Sequence, residues 1–439
     1  MPNRRPAATG TRPRVSPPSP RTNKSDGSAG IVIIGNSAAG IAAIEAIRRQ
    51  DAAVPVTVIS REAGNAYSRP FIIHQHDKPQ ALAYRDAAFY RRHRVTLVHA
   101  TADRIDPQAK TVAAGRRVFR YTRLLLAVGG TPVRPPIPGL DLPQVHTLTT
   151  LADAQRIQQA VRRGCRAVII GCGMIGIKAA EYLAGLGAQV TIVELQERPF
   201  AAVLDAASGT MVTEQLRRHA TLLLGDSVAR ITATQCVLQS GTELPADLVV
   251  CAIGVVPDLA LAAGAKLRTA RGILVDEQQR TSQRDIFAAG DCAAAMDLLA
   301  GERRPLPVWP IAFRQGTVAG TVMAGGTAAY AGGFLLNSVS VFGMPLITLG
   351  LSTLPAGAGV EELVPAEPQR GTYKKIILRD GKIVGAILVG DIDRAGIITG
   401  IMSDGICVEP FKHDLLRDEF GYIYVPKEFR SREVEPTEV

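Results

Sequence analysis

One pattern limits what this chain can fold into more than any other, because it occurs twice. Residues 31–35 read IVIIG, an unbroken aliphatic run ending in glycine. A turn of small residues follows, then AAIEAIRRQ with apolar groups at helical spacing, then VPVTVIS at 54–60. The order returns at 166–194 as RAVIIG, a GCGMIG turn, IKAAEYLAGLG and QVTIVE. An aliphatic run of this length bounded by glycine is what a strand buried on both faces of a sheet requires, and the segments between carry the apolar period of a helix. Each stretch is therefore a β-α-β unit, and the repetition duplicates an architecture rather than a short-period repeat. An α/β fold is predicted.

The glycine turns indicate what such units bind. In Gly171-x-Gly173-x-x-Gly176 the first glycine permits a tight turn, the second lets a pyrophosphate approach the backbone, and the third lets helix and strand pack closely. The helix opened by Met174 and Ile175 then offers free N–H groups and a positive dipole end to phosphates. The motif alone is weak. Here a strand precedes it, a helix follows, and Glu194 ends the next strand 23 positions beyond Gly171. A carboxylate there accepts both ribose hydroxyls and repels a 2′-phosphate, which favours NAD over NADP. The first unit is a variant, Gly35-Asn36-Ser37-Ala38-Ala39-Gly40, with Ser37 in place of the middle glycine. Its acidic ribose partner is less clear; Glu62, beside Arg61, is the candidate.

At 439 residues the chain is long enough for two or three domains. Hydrophobic residues at 46% and charged residues at 21% place it in the soluble globular class. No apolar stretch approaches the ~18 residues that span a membrane. About half of the net charge of +10 lies in residues 1–29, a segment rich in Pro, Ser, Thr and Arg that reads as a disordered basic tail. Arg4-Arg5 lacks the apolar region of an export signal, and no aromatic residues or folded motif accompany the basic groups to suggest nucleic acid. The six cysteines show no CxxC or metal-ligand spacing, and read as reduced, mostly buried thiols of a cytoplasmic protein. Between and beyond the two units, LLLAVGG and VVCAIGVVPD are strands ending in glycine-rich crossing segments, the second containing Gly254. DIFAAGDCAA at 285–294 is a further strand and turn carrying Gly290 and Asp291. YKKIILRDGKIVGAILVG at 373–390 reads as two strands joined at Asp380-Gly381, with a short helix after it.

Together these motifs resemble the two-dinucleotide-binding-domain flavoproteins, the family of the pyridine nucleotide-disulfide oxidoreductases and of the NADH-dependent rubredoxin and ferredoxin reductases. TSQRDIFAAGDCA resembles the family's second flavin motif, and YSRP at 67–70 resembles a segment near the flavin in the rubredoxin reductase branch. In LLLAVGG, valine stands where the family usually has threonine. The resemblance implies two Rossmann-like domains, an FAD domain (30–150 and 271–330) with an inserted NAD domain (151–270), and a C-terminal α+β interface domain (331–439). It implies FAD on Gly35, Ser37, Ala38 and Gly40, with Arg61 and Glu62 near its adenosine, Arg69 and Pro70 near the pyrophosphate or ring system, and Asp291, after Gly290, on the ribityl chain. NAD would lie on Gly171, Gly173, Met174, Ile175, Gly176 and Glu194, with Gly254 close by. Plainer readings exist: Arg69 as a surface salt-bridge partner, Asp291 as a cap for a following helix, and His74 and His76 as structural or solvated rather than proton donors.

The family's disulfide reductases carry their redox cysteine soon after the first β-α-β unit. This chain has none before Cys165, so thiol–disulfide exchange is set aside. What remains is hydride transfer between nicotinamide and flavin, coupled to an electron carrier, with no catalytic acid or base nominated and no metal site. The GNSAAG turn and VGDIDRAG look most like the flavoprotein subunits of larger anaerobic complexes, such as those of phenylglyoxylate dehydrogenase and tungsten-dependent aldehyde oxidoreductase. The expected partner is therefore an iron–sulfur protein or subunit in a hetero-oligomer. A free-standing rubredoxin or ferredoxin reductase is the first alternative, and a flavin-bound redox sensor or scaffold the second.

Overall fold

The computed structural model describes residues 29–73, 81–354, 359–365 and 371–426. His74, His76, residues 1–28 of the basic tail and residues 427–439 of the C-terminal segment lie outside the described residues.

The first sheet is built around the strand Gly30–Ile34, which pairs in parallel with Val56–Ser60 on one side and with Arg117–Leu126 on the other. The aliphatic run is continuous because both faces are buried. Ile31 and Ile33 pack with the helix Ala38–Gln50, and Val32 and Ile34 enter a separate core on the opposite face. The second strand begins at Val56 rather than Val54, since Pro55 brings no N–H to a ladder and offers only its carbonyl, which accepts the Ile31 N–H at 2.8 Å. After Leu126 the chain leaves this sheet, and it returns much later as Ile286–Ala288, parallel to Leu124–Leu126.

In between it builds a second parallel sheet. Its order is Thr221–Leu224, Gln189–Glu194, Arg166–Ile170, Leu248–Cys251 and Val145–His146. In both sheets the strand that opens the unit lies between its β-α-β partner and the later crossing strand. That is the switch point of a doubly wound sheet, where ligands bind outside the carboxyl ends of the strands. The connection leaving the first sheet, Gly130–Pro132, and the one returning to it, Val255–Pro257, pair antiparallel with each other.

Two features complete the first layer. The helix Trp309–Met323, with proline in its first turn, crosses the helix Ala38–Gln50 at very close range. A Cβ at Gly316 would lie 2.2 Å from the Ala39 carbonyl oxygen, and one at Gly320 2.4 Å from that of Ala43. Asp291 is followed by the strand Ala293–Asp297, not a helix, so it caps nothing.

The C-terminal region is an antiparallel five-stranded sheet carrying the helix Ala395–Asp404. The expected turn is present: Asp380 and Gly381 both have positive φ, 52° and 68°, between Tyr373–Arg379 and Lys382–Val389. A second hairpin of the same kind, at Phe342-Gly343, joins Leu336–Val341 to Met344–Gly350. One face of this sheet (Leu349, Ile376, Leu388) is covered by its own helix. The other (Val341, Leu346, Val389) shares a core with the second parallel sheet. No helix among the described residues is long and apolar enough to cross a membrane.

Candidate functional site

Two glycine turns of the same construction face the ends of the parallel strands in the two sheets. In the first, Gly35 has φ +119°, and a Cβ there would meet the Ala127 carbonyl oxygen at 2.0 Å; a Cβ at Gly40 would lie 2.2 Å from the Gly35 oxygen. In the second, Gly171 has φ +101° with Ala252 O at 2.7 Å, and a Cβ at Gly176 would lie 2.1 Å from the Gly171 oxygen. Ala127 and Ala252 are the corresponding residues of the two crossing motifs, so each first glycine is imposed by a carbonyl on the neighbouring strand.

The middle positions differ in what they offer. Gly173 is the N-cap of the helix Met174–Gly185, and a Cβ there would meet nothing within 4 Å, so the approach to the helix N-terminus is open. Ser37 is the N-cap of the first helix in extended conformation, yet its hydroxyl makes no capping bond. Both helices therefore present unpaired first-turn N–H groups, the donor set that phosphate oxygens require. Asn36 is held by Tyr90, whose hydroxyl donates to Asn36 Oδ1 at 2.8 Å and accepts the Ala66 N–H at 2.9 Å. Sequence reasoning missed Tyr90, which sits on a short helix with no motif around it.

Glu194 already lies against the second turn. Its Oε2 accepts the Cys172 N–H at 2.6 Å and its Oε1 the Gln196 N–H at 2.9 Å. Arg198, the nearest downstream arginine, is turned away, donating Nε to the Leu204 carbonyl at 3.0 Å. Met174, Leu195 and Ile253 are large apolar side chains left exposed around this turn, whereas Ile175 is half-buried against the core. Gly254 has φ +108° in open space, and its carbonyl accepts the Val133 N–H at 3.0 Å.

Gly290 and Asp291 come to the first turn. A Cβ at Gly290 would touch that of Ala39 at 3.4 Å, and its N–H donates to Oε1 of the buried Gln315 at 2.8 Å. Burial pushes the Asp291 carboxyl above the ordinary carboxylate range, while the Arg69 charge pulls it down. No side chain among the described residues donates a hydrogen bond to it. Among those residues its own backbone N–H is the one donor that acts on it, so this half-buried carboxylate keeps acceptor capacity that a polyol such as a ribityl chain can fill.

In the loop 61–70 the side chains expected near the adenosine make contacts within the protein. Arg61 is exposed and pairs with Asp258 at 3.5 Å. The Glu62 carboxylate accepts from both the Tyr67 hydroxyl and the Arg69 guanidinium. Arg69 is half-buried in this network rather than a solvated surface ion pair, and it also donates to the Thr149 carbonyl at 2.9 Å. Pro70 is exposed in the single 3-10 turn Arg69–Phe71.

All six cysteines are free thiols. Burial pushes Cys172 and Cys292 up to about 12 and Cys236 up to about 11. Cys292, although adjacent to Asp291, directs its Sγ at the carbonyls of Leu126 and Ala289 at 3.4 and 3.5 Å. These are protonated packing groups, the opposite of a redox-active thiolate.

Comparison with known proteins agrees with this geometry. Residues 29–316 match the family model described as pyridine nucleotide-disulphide oxidoreductase, and residues 336–406 match the rubredoxin NAD+ reductase C-terminal domain. The chain is 34% identical over 385 residues to the NADH-dependent phenylglyoxylate dehydrogenase subunit epsilon of Aromatoleum evansii, covering 84% of this chain and 90% of that one. It is 31% identical over 283 residues to rubredoxin-NAD(+) reductase of Pseudomonas putida, covering 62% and 74%. Among solved structures, the NAD-dependent persulfide reductase from A. fulgidus superposes with a TM-score of 0.82 at 28% identity, covering 90% of this chain and 80% of that one.

Proposed function

Because the chain belongs to the pyridine nucleotide-disulphide oxidoreductase family, whose cofactors are FAD and NAD, we propose that it passes electrons between NAD(H) and an iron–sulfur partner as the NAD-coupled subunit of a larger oxidoreductase complex. Bound FAD supplies hydride exchange with nicotinamide and electron exchange with a one-electron carrier. The protein's part is to hold, orient and insulate. Gly35, Ser37, Ala38 and Gly40 hold the FAD pyrophosphate, and the half-buried Asp291 carboxylate accepts the ribityl hydroxyls. Arg69 lies close enough to that carboxylate to lower its pKa. Gly171, Gly173 and Gly176 hold the NAD pyrophosphate, and Glu194, pre-oriented by the Cys172 N–H, takes the adenosine ribose.

The observation that carries this reading is the pairing of two glycine cradles of the same construction with Asp291, half-buried at the first of them and accepting from no other side chain among the described residues. The thiols nearest the two turns, Cys172 and Cys292, are buried and pushed up by that burial, which supports an electron acceptor outside this chain. The subunit role is supported by likeness over nearly the whole length of the phenylglyoxylate dehydrogenase subunit. The match of residues 336–406 to the rubredoxin reductase C-terminal domain favours a second reading, a free-standing reductase of a small carrier.

Anaerobic mixing of the purified protein with NADH tests the core of the proposal: the flavin absorbance is expected to bleach, and an unbleached flavin leaves only the sensor or scaffold role. Purification from the native cell, with iron assayed in whatever accompanies the chain, separates the other two. A stable iron-containing complex supports the subunit, and a lone flavoprotein supports the free reductase.

A further inference from the structure

We infer that Tyr67 is a positioning residue that fixes the orientation of the second nucleotide-binding unit relative to the first. This rests on the reading above, in which hydride passes between cofactors held on two different sheets. Such a transfer needs the reacting atoms ~3–3.5 Å apart, and a misplacement of ~1 Å costs on the order of 10²-fold in rate. A contact that holds the two units in one orientation therefore bears on the rate.

The loop 61–70 touches both connections of the second unit. Arg61 reaches Asp258 on the returning connection at 3.5 Å. On the outgoing side, Tyr67 and Arg69 reach the start of the helix Leu151–Ala160. The Tyr67 hydroxyl has one proton and two lone pairs, and all three are used. It donates to the Glu62 carboxylate, and it accepts from Arg69 at 3.2 Å and from the Leu151 N–H at 3.1 Å. Leu151 N–H is a first-turn donor with no partner inside its own helix. The rest of that helix start is already clamped, because buried Asp153 accepts the N–H groups of Thr149 and Thr150 at 3.0 and 2.9 Å. Tyr67 therefore joins a rigid helix terminus of the second unit to Arg69, whose charge acts on Asp291 in the first. Burial also raises the phenol above its ordinary value, so the proton given to Glu62 stays in place across the working pH range.

The test compares the wild-type holoprotein with Tyr67→Phe, which keeps the ring and loses the hydroxyl. Leu151→Pro deletes the same hydrogen bond from the donor side. Thr150, at φ −124° and ψ 160°, already has the extended conformation required before proline. Two measurements are made. The first is anaerobic flavin reduction at saturating NADH. The expectation is a rate constant at least about tenfold lower in Tyr67→Phe, with flavin content and NADH dissociation constant within about twofold of wild type, and no comparable further loss on adding Leu151→Pro. The second, in a Cys407→Ser background, is the distance distribution between spin labels at Glu214→Cys, exposed on the helix Ala206–Arg217 of the second unit, and at Arg104→Cys on the strand Ala102–Asp106 of the first sheet, expected to be narrow with Tyr67 and broadened in Tyr67→Phe. A reduction rate within twofold of wild type, an unchanged distance distribution, or loss of flavin in place of loss of rate overturns the inference. If NADH fails to bleach even the wild type, the proposed function falls, and the distance measurement still decides whether Tyr67 sets the orientation.

Discussion

Adding one methyl group to either cradle is expected to separate the two cofactors cleanly. A Cβ at Gly176 lies 2.1 Å from the Gly171 oxygen, and one at Gly40 lies 2.2 Å from the Gly35 oxygen. Carbon–oxygen contacts settle at about 3.3 Å or more, so each helix start has to retreat by ~1 Å. The turn residues cannot yield instead, because Gly35 and Gly171 are themselves held at φ +119° and +101° against Ala127 and Ala252. Overpacking of this kind costs ~1–3 kcal/mol. The retreat that relieves it withdraws about one charge-assisted hydrogen bond from the phosphate, worth ~1.5–3 kcal/mol. The two routes give roughly 5- to 150-fold weaker binding at about 1.4 kcal/mol per decade. Gly176→Ala should weaken NADH by that factor in a fluorescence titration while the protein keeps its flavin through gel filtration. Gly40→Ala should shed flavin under the same conditions. The assignment of FAD to the first cradle and NAD to the second is refuted if the pattern is reversed, or if Gly176→Ala binds NADH within twofold of wild type.

Other expectations follow from single groups. Asp291→Asn should loosen FAD yet raise the melting temperature of the flavin-free protein at neutral pH. The folded-state pKa of Asp291 is raised by burial, so its ionised form opposes folding, the penalty is absent below the unfolded pKa, and it appears as pH rises through the folded value. The gain should therefore vanish in acid, and a variant less stable than wild type at pH 7 would contradict the account. Lys375, almost fully buried, reaches Glu362 at 2.6 Å and Asp205 at 3.3 Å. Since Glu362 is partly solvated, Lys375→Met should cost about 2 kcal/mol rather than the full ~3–5 kcal/mol of a broken buried pair; an unchanged urea midpoint would sink that. Alkylation with N-ethylmaleimide should label Cys407, the one exposed thiol, and leave NADH-driven flavin bleaching intact. Loss of bleaching would restore a thiol to the mechanism.

What could be read from the sequence was whatever a local rule enforces. The runs IVIIG and RAVIIG are aliphatic because both sheet faces are packed, and the glycines are where backbone approaches backbone. The Asp380-Gly381 turn is written in the only residues that take positive φ cheaply. Long-range partnerships were not legible. Nothing local in the sequence pairs Glu62 with Tyr67 and Arg69, or Arg61 with Asp258. Those choices depend on connections some 80 and 200 positions away in the chain. The Phe342-Gly343 hairpin did leave a signal, a Phe-Gly pair between two apolar runs. Its role shows only in the folded protein, where Phe342 stacks on His219 of the second unit at 4.3 Å.

The seam between the helices Ala38–Gln50 and Trp309–Met323 constrains how the protein is made. The first helix leaves the ribosome roughly 260 residues ahead of the partner whose Gly316 and Gly320 it must seat. At ~5–20 residues per second that is a wait of roughly 13–50 s. During it the outer face of Ala39 and Ala43, and the strand edge later filled by Ile286–Ala288, stay open, while the five strands of the second sheet are contiguous in the chain and can pair as soon as Cys251 is made. The strands of the inner sheet are thus all made before the outer layer is. A chain stalled or cleaved before residue 309 would carry a second sheet lacking the C-terminal strands that share its core beside a first cradle still missing its backing.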